Sequence, residues 1–119
     1  MTSTIARCAA IAVAASLALP AGALAHAGIK SRSPKAGSSV SAPRAVSVTF
    51  RARVLDANLS VRSASGATVS TGSGSLSGNK RRVRVALRGG LARGTYRATV
   101  RFLAGDGHAQ QSTWTFTVR

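Results

Sequence analysis

From Val46 onward the chain keeps a two-residue rhythm, in which an apolar side chain alternates with Ser, Thr or Arg. A period of two sends successive side chains to opposite faces of an extended backbone, so each run reads as a strand with one face buried. Val46, Val48 and Phe50 alternate with Ser47 and Thr49, and Leu59 and Val61 with Ser60 and Arg62. Val83, Val85 and Leu87 alternate less regularly with Arg82, Arg84 and Arg88. The two C-terminal runs are the clearest. Tyr96, Ala98, Val100 and Phe102 oppose Arg97, Thr99 and Arg101, while Trp114, Phe116 and Val118 oppose Thr113, Thr115 and Thr117. Every aromatic residue of the chain falls on one of these apolar faces, which assigns the aromatics to the core.

Turn signals separate the runs: Ser33-Pro34-Lys35-Ala36-Gly37, Ser41-Ala42-Pro43, Ser65-Gly66, the Gly- and Ser-rich stretch Thr71 to Asn79, and Gly89-Gly90. No amphipathic helical stripe of useful length accompanies them. Short strands spaced by about 8 to 12 residues predict an all-β fold, a single antiparallel Greek-key β-sandwich close to the immunoglobulin or cupredoxin architecture.

The first residues follow a different pattern, that of a secretory leader. Arg7 supplies a positive start, Cys8 to Ala18 is an unbroken run of apolar and small residues, and Pro20-Ala21-Gly22 breaks it before Ala23-Leu24-Ala25. Residues 1–25 are therefore expected to be a cleaved signal peptide and residues 26–119 the exported domain, periplasmic or outside the cell. Ala25-His26-Ala27 is a second acceptable cleavage pattern, and cutting there would discard His26; the earlier cut is favoured. The apolar run is too short to remain as a membrane span. Cys8 opens that run instead of following it, so a lipid-anchored cysteine is not indicated.

Losing the leader removes the one Cys and the one Met, which excludes a disulfide framework and any sulfur ligand. The formal charge of the whole chain is +15, with 17 Lys and Arg against two acids, Asp56 and Asp106. Such a field attracts anionic surfaces, including phosphate-bearing polymers of the cell envelope. The Arg residues read as spread singly through the strands, with one Trp and one Tyr beside them, so no stacking platform for bases is evident and specific nucleic-acid binding is not expected. Charge on outward faces also protects strand edges from pairing with other chains.

Little remains for chemistry: two His and two Asp. Asp106-Gly107-His108 lies between the two strongest strand signals, and residues two apart in extended backbone project to one side. His26, as a mature terminus, offers an α-amine and a ring nitrogen together. Amine, two imidazoles and one carboxylate form a donor set suited to tetragonal Cu(II). Zn(II) would accept the same groups with a weaker claim, and a blue-copper site is excluded for want of Cys. The competing reading makes His108 a turn residue bonded to Asp106 and His26 a frayed end.

The chain resembles the CopC family of periplasmic copper-resistance proteins. The resemblance rests on His26-Ala27, Ser33-Pro34-Lys35-Ala36-Gly37 with Ala42-Pro43, Val46-Ser47-Val48-Thr49-Phe50, Gly94-Thr95-Tyr96, Asp106-Gly107-His108 and Phe116-Thr117-Val118, in that order. It implies a β-sandwich that binds Cu(II) through His26, Asp106 and His108. It also implies a non-enzymatic role in copper homeostasis or resistance, by sequestration or by delivery to a CopD-like membrane importer. Two departures accompany it. Where relatives often carry an acid in a Phe-Ser-Glu-Pro-Val-like segment, this chain reads Phe50-Arg51-Ala52-Arg53-Val54, and positive charge opposes a divalent cation. A Met-rich segment for Cu(I) is also missing. Two alternatives stand beside this reading. One is a metal-free basic module for anionic envelope polymers. The other, an oxidative enzyme with a copper brace, is disfavoured by Asp106, by the short chain and by aromatics committed to the core.

Overall fold

A computed structural model of the chain describes residues 28–119. The leader expected over residues 1–25, and His26 with it, lie outside the described residues. Eight strands follow in order: β1 (Ile29–Ser33), β2 (Ser39–Val40), β3 (Ala45–Phe50), β4 (Val54–Ser63), β5 (Ser70–Leu76), β6 (Arg82–Leu87), β7 (Gly94–Ala104) and β8 (Ala109–Val118).

They form two four-stranded sheets, ordered β1-β3-β6-β5 and β2-β8-β7-β4. The chain crosses between sheets at β1–β2, β2–β3, β3–β4, β4–β5 and β6–β7, which gives the Greek-key sandwich of immunoglobulin type. Pairing is antiparallel except for the two residues of β2, which run parallel to the end of β8. That short parallel strand departs from the purely antiparallel expectation. The Ser33–Gly37 turn carries the chain from β1 of the first sheet to the second, where Ser39 and Val40 pair with Thr117 and Val118.

The apolar positions of the alternating runs meet between the sheets. Val46, Val48 and Phe50 of β3 and Val83, Val85 and Leu87 of β6 pack against Leu59, Val61, Val100, Phe102, Trp114 and Phe116 of the second sheet, all buried. Phe50 and Phe102 meet with ring centroids 4.8 Å apart and planes tilted by 48°. Tyr96 and Phe116 stack at 5.8 Å. The Tyr96 hydroxyl donates to the Ala92 carbonyl at 2.6 Å, tying the loop before β7 to the strand as in the tyrosine corner of such sandwiches.

One expectation fails. The Thr71–Asn79 stretch, read as turn, is largely strand β5. Its Gly and Ser residues carry no apolar alternation, and no side chain of this edge strand is fully buried. Gly74 also meets a requirement for close approach: at φ +99°, a Cβ there would sit 3.2 Å from the Arg84 carbonyl oxygen and 3.3 Å from Val83.

Candidate functional site

One end of the sandwich collects four segments: Gly28 at the entry to β1, the β3–β4 loop 51–53, the β5–β6 loop 77–81, and the β7–β8 turn 105–108. Backbone contacts hold them together. Arg51 N–H donates to Gly28 O at 2.9 Å, Phe50 N–H to Arg81 O at 2.7 Å and Val54 N–H to Lys80 O at 2.9 Å. Gly105 backs onto the same loop, since a Cβ there would lie 3.4 Å from Arg53 O. Gly28 rests on the core, with Phe102 Cε2 3.3 Å from the position a Cβ would take.

Asp106 and His108 meet, although by a different route from the one their spacing suggested. They do not lie on extended backbone: residues 105–107 form the turn of the β7–β8 hairpin, and Gly107 sits at φ +90°, a region open to glycine. Gly107 N–H donates to Ala104 O at 2.8 Å and Ala104 N–H to His108 O at 2.9 Å, which closes the turn. The Asp106 side chain folds back over it. Oδ1 accepts the His108 backbone N–H at 3.0 Å and Oδ2 lies 2.9 Å from His108 Nδ1. A carboxylate only accepts, so Nδ1 carries the proton toward it and Nε2 is left to present a lone pair.

Both side chains stand in water, His108 80% and Asp106 64% exposed. The hydrogen bond from the His108 ring, reinforced by its backbone N–H, holds the Asp106 carboxyl below its ordinary value. The same bond, joined by the charge of the carboxylate, raises the His108 imidazole above 6.5. The pair is therefore a preoriented imidazole with a carboxylate behind it, an arrangement that favours metal ligation through the far ring nitrogen. The turn bond foreseen in the competing reading is present; it fixes the ring without consuming Nε2.

The third proposed donor, His26, lies outside the described residues, and among the described residues no group of three or more His, Cys, Asp or Glu side chains assembles. Asp56 stays apart from the pair on β4, where its Oδ1 accepts the neighbouring Ala57 N–H. Arg51, Ala52 and Arg53, which replace the acid-bearing segment, are all exposed.

Sequence reasoning missed a polar insertion between the sheets. Arg32 of β1 reaches across to β8, donating to Ser112 Oγ at 3.0 Å and lying 5.4 Å from the Trp114 ring centroid. Arg32 Nε and Gln110 Oε1 are buried without a partner. The signal was present: Gln110 and Ser112 share the parity of Trp114 and Phe116, so the inward face of β8 turns polar at its start.

A family model described as the CopC domain matches residues 29–119. Among solved structures, CopC from Methylosinus trichosporium OB3b is 27% identical with a TM-score of 0.65, over 78% of this chain and 93% of that one. PcoC, a methionine-rich copper resistance protein from Escherichia coli, is 26% identical with a TM-score of 0.64, over 77% of this chain and 97% of its own. No curated protein matches the chain.

Proposed function

Because the chain belongs to the CopC domain family, we propose that it is an exported Cu(II)-binding protein of copper homeostasis or resistance, with His26, Asp106 and His108 as its ligands. The observation that carries the proposal is the exposed Asp106–His108 pair, closed at 2.9 Å on a turn beside the point where the chain enters the fold. His26 stands two residues before Gly28, a tether of roughly 7 Å at full extension. Gly28 itself is pinned to the loop that backs onto Gly105. A terminal amine and imidazole on so short a tether can close a chelate completed by His108 Nε2 and, after a side-chain rotation, an Asp106 oxygen.

The oxidation state follows from donor chemistry. The Escherichia coli relative is described as methionine rich, whereas this chain has one Met, at position 1, and one Cys, at position 8. Nitrogen and carboxylate donors suit Cu(II), and the soft sulfur ligands that retain Cu(I) are missing from residues 26–119. The protein would capture Cu(II) in the periplasm or outside the cell, then hold it or pass it to a membrane importer, with no catalysis of its own.

The test is a Cu(II) titration with electron paramagnetic resonance on protein whose terminus is verified as His26. The expected result is one tetragonal Cu(II) with nitrogen coupling, lost in His108→Ala and when one residue is added before His26. Equal binding by the parent and both altered proteins would overturn the assignment.

A further inference from the structure

Four of the cations scattered along the sequence meet in the fold. Beside the Asp106–His108 turn, across the 51–53 loop, a groove of about 410 Å³ is lined by Lys30, Arg51, Arg81 and Arg82, together with Thr49 and Asn79. No carboxylate lines it. The chain has only two acids, and Asp106 is engaged with His108 while Asp56 lies on β4. The one ion pair among the described residues is that between Asp106 and His108.

The groove is built rather than incidental. Lys80-Arg81-Arg82, a run of three cations, is carried on a turn stapled by its own side chains. Asn79 Oδ1 accepts from Ser77 Oγ at 2.7 Å and from Arg81 N–H at 3.1 Å, and Ser77 Oγ accepts Arg82 N–H at 3.1 Å. Ser77 and Arg82 are also joined through the backbone at 2.8 Å, and Lys80 adopts φ +56°, a conformation disfavoured for a side chain of its kind. The turn is then fastened to β3 through the bond from Phe50 N–H to Arg81 O. Arg51 and Lys30 approach from the other wall. Holding four like charges in one concavity costs free energy that a bound anion would return.

We propose that this groove binds a phosphate-bearing anion. Three of its four cations are Arg, whose planar fork matches phosphate oxygens in pairs. A phosphate group offers several oxygens at one point, and the Arg82 guanidinium, which donates to Ser47 Oγ at 3.3 Å, stays beside it. An extended acidic peptide would have to bring one carboxylate per cation, although alternate side chains on a strand point away. Free di- or polyphosphate and a phospholipid headgroup share this chemistry.

The test compares two double variants of equal charge, Arg51→Ser with Arg81→Ser in the groove and Arg62→Ser with Arg97→Ser on the outer face of the second sheet. Calorimetry with pyrophosphate and co-sedimentation with phosphatidic acid vesicles are run on each protein at moderate salt. The groove variant is expected to weaken binding by about tenfold or more in at least one arm, with the outer-face variant weakening it less than about threefold. Loss in the pyrophosphate arm assigns a free anion, and loss confined to the vesicle arm assigns a headgroup. Equal losses in the two variants, tighter binding of poly-glutamate than of pyrophosphate, or no binding by the parent protein would overturn the proposal.

Discussion

Replacing Phe102 with Leu tests whether the core positions the end of the molecule that carries the proposed copper site. Phe102 is 4% exposed, pairs with Phe50 at 4.8 Å and supports Gly28 at the chain entry. Leu keeps the site apolar but removes the aromatic pair, worth about 0.5 to 1.5 kcal/mol. The ring volume it cannot refill costs about 1 kcal/mol more. The sum is about 2 kcal/mol. In a domain of this size each kcal/mol moves Tm by about 4 to 8 °C, so thermal unfolding followed by circular dichroism should show a fall of about 8 to 16 °C. Copper affinity at the proposed site should fall as well, because Phe102 supports Gly28, two residues after the proposed ligand His26. Val118→Ala supplies the control. It opens a comparable defect in a residue 2% exposed at the opposite end of the sandwich, and should lower Tm while leaving copper binding unchanged. The reasoning is refuted if Phe102→Leu loses stability with unaltered copper affinity, or if both variants weaken copper binding equally.

Three other outcomes are expected. The His108 ring, followed by NMR, should titrate above 6.5, and Asp106→Asn should move that midpoint down, since the carboxylate is what raises it. Copper competes with the same proton, so Cu(II) uptake should weaken as pH falls through the raised value; an unmoved midpoint in the variant would contradict the paired geometry. The stability contributed by the pair follows the same signs. The His108 part is lost as pH rises through its raised value and the Asp106 part as pH falls through its lowered one, both effects being small because the groups are exposed. Tyr96→Phe should cost about 1 kcal/mol through the lost bond to Ala92 O, read as a fall in urea midpoint with unchanged slope. Gly74→Ala should destabilise by about 1 to 3 kcal/mol, because φ +99° and the contact at 3.2 Å both oppose a Cβ, while Gly78→Ala, with nothing within 4 Å, should be nearly neutral.

How much of this was legible beforehand depends on how local each signal is. The alternating runs identify strands β3, β4, β6, β7 and β8 and all five buried aromatics, because a strand with one face in the core must place its apolar residues two apart. The Asp106–His108 pair was legible for a related reason: its partners are two residues apart, so almost any turn brings them close, although the turn itself was taken for extended chain. Edge strand β5 was not legible, although β4, an edge strand with a full apolar face, was. The inward face of β5 is carried by Gly74 and Leu76, too few large apolar side chains to imprint an apolar rhythm, and its identity rests on pairing with β6. The same limit hid the polar insertion of Arg32 against Ser112, residues from opposite sheets. It also hid the cationic groove, whose walls come from β1, the loop after β3 and the turn before β6. Composition and periodicity by themselves determined the fold class, the core faces and the short list of candidate donors behind the proposed site, because those depend on residue type and near spacing. Only the tertiary structure decided which cations share a groove and which loops stand beside His108, because those proximities are set by how two sheets stack and cross over, and no short stretch of sequence carries that information.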